Sequence, residues 1–279
     1  MAVRLGLDLA QQRMSWDELA SRARFADDLG FDGIWGFDHF QPMYGDGVGE
    51  CFEGMTTLAA LGGITERVRL GLLVTGVTYR HPSVFAAEAM TIDQSTHGRL
   101  ELSLGAAWWD PEHHQLGIPF PATSERIERL DEALTIVKGL MTTPGFTFEG
   151  RHFQLRDATV FPPPVQRPHP PIWIGASGER KMLPLVARHA DVWHCFGDVA
   201  ELSRKAEILD DLATGFGREP GAILRAGSLS ISEPWPEVRA NAQALRDAGL
   251  GYLVVGWPTE GRSRLEEFWT TVAPDLLAD

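Results

Sequence analysis

The chain is poor in cysteine, with two, Cys51 and Cys195, among 279 residues. Their contexts are unrelated and neither stands in a CxxC spacing, so the sequence holds neither a secreted disulfide framework nor a cysteine metal site. Counting alone leaves one disulfide open. Basic residues are also scarce: 25 Lys and Arg against 38 Asp and Glu give a formal net charge of −13. That balance argues against nucleic acid or an anionic membrane as a partner, since both need a basic face. It leaves an anionic small ligand open, because a few backbone amides can outvote a distant acidic surface. Long apolar runs are missing. The N-terminal stretch MAVRLGLDLAQQRM is too briefly apolar for a signal peptide core or a membrane span, and the cytoplasm is the expected compartment. Internal repeats and low-complexity tracts are absent as well.

Short β-branched, apolar runs alternating with amphipathic stretches are what the chain does have, the pattern of a parallel βα sheet. Val3–Asp8 reads as a first strand. Trp16–Leu29 reads as a helix with Leu19, Ala23, Ala26 and Leu29 on one face and Gly30 as its stop. Further strands are expected at Gly33–Phe37, Val68–Thr75, Leu100–Gly105, Ile172–Gly175, Val192–Cys195, Ile223–Ile231 and Tyr252–Val255. Helices are expected over Met55–Thr65, Val84–Ser95, Ser124–Met141, Arg180–Arg188, Val199–Thr214, Pro236–Ala248 and Arg264–Leu277. Between Gly145 and Pro171 the rhythm breaks into a small hairpin around Gly150–Arg151 and a proline-rich extended stretch. This reads as an insertion between the fourth helix and fifth strand of a single domain over 1–279. Eight βα units favour a closed (β/α)8 TIM barrel over a doubly wound open sheet, and no GxGxxG follows the first strand as a dinucleotide fold would require.

In such a barrel the active site lies at the C-terminal strand ends, which selects a few polar segments. Asp38–His39 leaves the second strand; a histidine there can exchange a proton with a ligand, and the bland alternative is a loop-capping pair. Ala176-Ser177-Gly178, after Gly175, is a small turn running into a helix. It suits an anion held by backbone amides, or is simply a tight turn. Gly105-Ala106-Ala107-Trp108-Trp109 puts small residues and then two large rings at the fourth strand's exit, walling a pocket or packing the core. A metal reading of His39, His81, His113, His114 and His194 is weak, because the first strand lacks a His-x-His pair and His113 and His114 are adjacent. No metal is expected.

Taken in order, Asp38-His39, VRLGLLVTGVTYRHP, GRLELSLGAAWWDPEHHQLGIPFP, VFPPPVQRPHPPIWIGASGER and ADVW resemble the luciferase-like oxidoreductases, most closely the shorter members that use the deazaflavin coenzyme F420. The resemblance runs from Leu5 to about Trp193. It implies a (β/α)8 barrel with an insertion near the fifth strand. It also implies hydride transfer between F420 and a small organic substrate, with His39 and Asp38 catalytic and Asp38 also facing the ring. Thr75, Gly76 and Val77 would form a bulge behind the ring, with a cis peptide between Gly76 and Val77. Ala106, Ala107 and Trp108 would lie beside it, and Gly175, Ala176, Ser177 and Gly178 would hold the cofactor phosphate. The family's sugar-phosphate dehydrogenases carry a glutamate where this chain has Trp108, which turns the expectation toward a more apolar substrate. Glu112 is the nearest glutamate. The alternative is an FMN-dependent monooxygenase supplied with reduced flavin by a reductase; a non-catalytic ligand-binding barrel ranks third. The family also implies a homodimer.

Overall fold

The computed structural model describes residues 2–278. Alternating outward residues such as Leu5 and Leu7 lie wholly buried under the helices, while the inward set packs the barrel. The strands are β1 (Arg4–Asp8), β2 (Gly33–Gly36), β3 (Arg69–Leu72), β4 (Leu102–Leu104), β7 (Ile172–Gly175), β8 (Val192–His194), β9 (Leu224–Leu229) and β10 (Tyr252–Gly256). They form one parallel eight-stranded sheet in the order β3-β2-β1-β10-β9-β8-β7-β4. Bridges at Leu70–Leu100 and Gly76–Gly105 join β3 to β4 and bring the ends of the sheet together. Outside the barrel, β5 (Phe146–Glu149) and β6 (Gln154–Ala158) pair as an antiparallel hairpin.

The helices are α1 (Trp16–Leu29), α2 (Gly54–Gly62), α3 (Pro82–Ser95), α4 (Asp110–Leu116), α5 (Thr123–Thr142), α6 (Met182–His189), α7 (Val199–Gly215), α8 (Trp235–Asp247), α9 (Arg262–Thr271) and α10 (Ala273–Leu277). Local chemistry sets their ends. Ser15 accepts from the Glu18 amide at the start of α1, and Gly30 closes it in the left-handed region at φ 102°. The single C-terminal helix expected over Arg264–Leu277 is two, because Pro274 suits only a first turn and a new helix starts around it. None of the described helices is long and apolar enough to cross a membrane.

The floor of the barrel decides where a ligand can sit. Trp35 and Trp173 pack with centroids 4.2 Å apart, and Tyr252 meets both edge-on. Trp35 Nε1 donates to the Tyr252 hydroxyl at 3.0 Å, and Trp173 Nε1 to Glu101 at 2.6 Å, so the buried rings leave no polar atom unmet. Gly6 and Gly71 make this layer possible, since a Cβ at either would run into the Trp35 ring. With the lower barrel filled by aromatics, the open space lies above them.

Candidate active site

That space is a cavity of about 740 Å³ at the C-terminal mouth. His39, Gly76, Ala106, Ala107, Trp108, Gly175, Ala176, Ser177 and Gly178 all line it, so segments far apart in sequence meet in one place. Three residues expected beside them stand behind the wall. Thr75 and Val77 are buried and hold the β3–β4 ladder, the Thr75 carbonyl accepting from Gly105 N–H and Val77 N–H donating to the Gly105 carbonyl. Asp38 is wholly buried and faces Arg80, whose Nη2 lies 3.1 Å from its Oδ1. Arg80 also pairs with Glu53 and Glu88. Burial pushes the Asp38 carboxyl upward, opposed by the Arg80 hydrogen bonds and charge. In this arrangement Asp38 anchors the β2 exit from below.

The cis peptide also differs in position from expectation. It joins Leu73 to Val74, three residues before Gly76–Val77. Gly76 and Val77 lie past β3 and meet Gly105 through an isolated parallel bridge and the Val77 amide. Val74 stands over two glycines: a Cβ on Gly105 would stand 2.6 Å from Val74 Cγ2, and one on Gly175 3.1 Å from Cγ1. Together, Val74, Gly105 and Gly175 make a smooth apolar wall suited to a flat ring.

His39 sits at one end of this wall. Its Nδ1 is 3.1 Å from Glu112 Oε1, and Glu112 is fully buried. The same carboxylate accepts from the Tyr79 hydroxyl at 2.6 Å and from the amides of Phe40 and Gln41 at 2.6 and 2.9 Å. Burial pushes the Glu112 carboxyl up, but the bonds from His39, Tyr79 and Phe40 outweigh it and hold it below the usual range. An ionised Glu112 accepts the Nδ1 proton and leaves Nε2 as the nitrogen available to a ligand. Helix α4 makes this contact by turning Glu112 and His113 inward, with His113 between Thr78 Oγ1 (2.7 Å) and the Trp109 carbonyl (2.8 Å). Glu112 thus supports His39 and does not take the position at the mouth held by Trp108.

Trp108 is not core. It is 70% exposed, as are Phe196 (71%) and Tyr44 (66%), which place two more rings at the cavity's edge. No lysine or arginine among the described residues lines the cavity, and Glu201 is its one carboxylate, paired with Lys205 at 2.6 Å. In the Ala176–Gly178 turn, the Ala176 amide already donates to the His194 carbonyl at 3.0 Å. An anion there would therefore be held by the amides of Ser177 and Gly178. Among the described residues there is no group of His, Cys, Asp and Glu able to hold a metal.

Sequence reasoning passed over Val74, Tyr79 and Arg80. A buried carboxylate needs a cation, and Tyr79-Arg80 stands in the quoted VTYRHP segment, so that signal was present; the role of Val74 had none.

The chain is 35% identical over 249 residues to an F420-dependent glucose-6-phosphate dehydrogenase of Intrasporangium calvum, covering 80% of this chain and 72% of that one. A second such enzyme, of Microbacterium testaceum, is 36% identical over 177 residues, covering 63% and 52%. An FMNH2-dependent dimethylsulfone monooxygenase of Pseudomonas putida is 30% identical over 202 residues, covering 72% and 54%. The chain spans about half the length of several of these curated relatives. In fold it is similar to an F420-dependent secondary alcohol dehydrogenase in complex with an F420-acetone adduct, with a TM-score of 0.89 at 17% identity over all of both chains. The luciferase-like monooxygenase model matches residues 1–268, and the chain belongs to that family.

Proposed function

We propose that this protein is an F420-dependent oxidoreductase that reduces or oxidises a small, uncharged, largely apolar organic substrate. The observation that carries the reading is the Glu112–His39 pair at the edge of the Val74–Gly105–Gly175 wall. These residues fit a flat tricyclic cofactor with a phosphate tail: the wall would accept the ring, and Ser177 and Gly178 line the same cavity. Bound there, the cofactor supplies or accepts a hydride at its ring. The chain's own residues do the rest. His39 Nε2 gives a proton to, or takes one from, the substrate oxygen, while Glu112 and Tyr79 hold the imidazole in the productive tautomer. The rings of Trp108, Phe196 and Tyr44 stand at the cavity's edge, where an apolar substrate would pack against them.

The relatives at 35–36% identity are named for glucose 6-phosphate, but a sugar phosphate suits this cavity poorly. No lysine or arginine among the described residues lines it to meet a second anion. The FMN-dependent monooxygenase reading is carried by the 30% identical dimethylsulfone enzyme. It would need a reductase as partner. A cytoplasmic homodimer is part of the same proposal, checked by sedimentation of the purified protein. Equilibrium titration of the apo-protein with F420, FMN and FAD tests the main reading: F420 is expected to bind most tightly. FMN binding as tight or tighter, with oxygen-dependent turnover, would assign the monooxygenase class.

A further inference from the structure

His194 ends β8 and lines the cavity, yet it is only 2% exposed and its Nε2 has no hydrogen-bond partner. A buried polar nitrogen left unmet is costly, so such atoms are kept where something pairs with them. Nothing in the fold does so. The residue's backbone carbonyl is used by Ala176, and Phe196 covers the imidazole edge-on at 4.9 Å. On either side in the sheet stand Gly175 and Ala226, neither of which carries a polar side chain to meet the ring.

Its place in the barrel gives the nitrogen a direction. Strands β2 and β8 are four steps apart whichever way the ring of eight is followed, so the residues at their C-terminal ends, His39 and His194, face each other across the mouth. The arc between them through β3, β4 and β7 is the wall of Val74, Gly105 and Gly175. A planar ligand on that wall meets His39 at one edge and His194 at the other. Burial holds His194 well below the ordinary histidine range, at about 4, so at neutral pH it offers one N–H and one lone pair and no charge. Such a group pairs with an edge of alternating C=O and N–H, the pattern of a ring-fused pyrimidinedione. It gives no anchorage to a carboxylate or phosphate.

The geometry points to His194 as the residue that hydrogen-bonds the pyrimidinedione edge of the cofactor ring, setting the ring's reach toward His39. This rests on the cofactor reading above. The test is titration of wild type, His194→Phe and His194→Gln with F420 and with FMN, read as Kd and as the visible band of the bound ring. Phe keeps a planar ring and removes both nitrogens, so binding should weaken about 5- to 10-fold and the band should shift. Gln restores a neutral donor and acceptor and should recover most of both. Should the Phe variant not fold, His194→Ala, which adds no volume, carries the same expectation. Unchanged Kd and band in a folded Phe or Ala variant, or a loss that Gln leaves uncorrected, would overturn the role of His194 alone. Wild type that binds neither F420 nor FMN would instead overturn the cofactor reading, and this inference with it.

Discussion

Nδ1 of His39 and Oε1 of Glu112 lie 3.1 Å apart, although the two residues are 73 positions apart in sequence and come from different βα units. The carboxylate is buried and accepts three further hydrogen bonds. It therefore has little freedom to move, and it fixes both the tautomer and the orientation of the imidazole, as supporting carboxylates do for working histidines elsewhere.

Replacing His39 by Ala should leave cofactor affinity within a few-fold and lower turnover by ~10²-fold or more, the scale for losing a general acid or base. Steady-state rates on the true substrate check it; near-normal turnover would make His39 structural.

Glu112→Gln tests the orientation directly. The amide can present N–H to Nδ1 and so favour the other tautomer. Turnover should fall by about 10- to 100-fold while the cofactor still binds. A Glu112→Gln variant as active as wild type would remove the tautomer argument.

Asp38 should matter for stability more than for chemistry. Asp38→Ala leaves Arg80, 11% exposed at its side chain, with only Glu53 and Glu88. Breaking a buried pair from one side costs about 3–5 kcal/mol, and the remaining acids put this case near the lower end. Urea denaturation reads the loss, and unfolding at the wild-type midpoint would contradict it.

Gly178→Asp should weaken cofactor binding by at least ~10-fold, about 1.4 kcal/mol, because an acid would stand against the phosphate. The fold should survive, since a Cβ there has Met182 Cγ at 3.6 Å as its nearest neighbour. Unchanged affinity would take this turn out of the phosphate site.

His194 predicts a pH dependence with a definite sign. Its folded value, about 4, is below the ordinary 6.5, so the unfolded chain binds more protons between those values. Stability is present above about pH 6.5 and is lost as pH falls toward 4, by about 3 kcal/mol in full. Asp8, pushed up to about 6 by burial, acts with the opposite sign over much of this window. The comparison must therefore be between wild type and His194→Gln, and the variant should lose less stability on acidification. Parallel curves would show that His194 is solvated.

Local patterning alone determined the alternation of apolar strands and amphipathic helices, because side-chain period and capping chemistry act over a few residues. Trp16–Leu29, with its Gly30 stop, and the strand at Ile172–Gly175 were legible in this way. The cavity segments around His39, Ala106 and Gly175 were legible through one rule, that barrel sites lie at strand ends. Which of those residues face the ligand was decided only in three dimensions. Asp38 and His39 are adjacent in the loop after β2, yet one pairs with Arg80 and the other sits against Glu112, because each meets a partner supplied from far along the chain. His194 is the clearest case: its sequence neighbours give no hint of a role, and only closure of the barrel sets it across the mouth from His39.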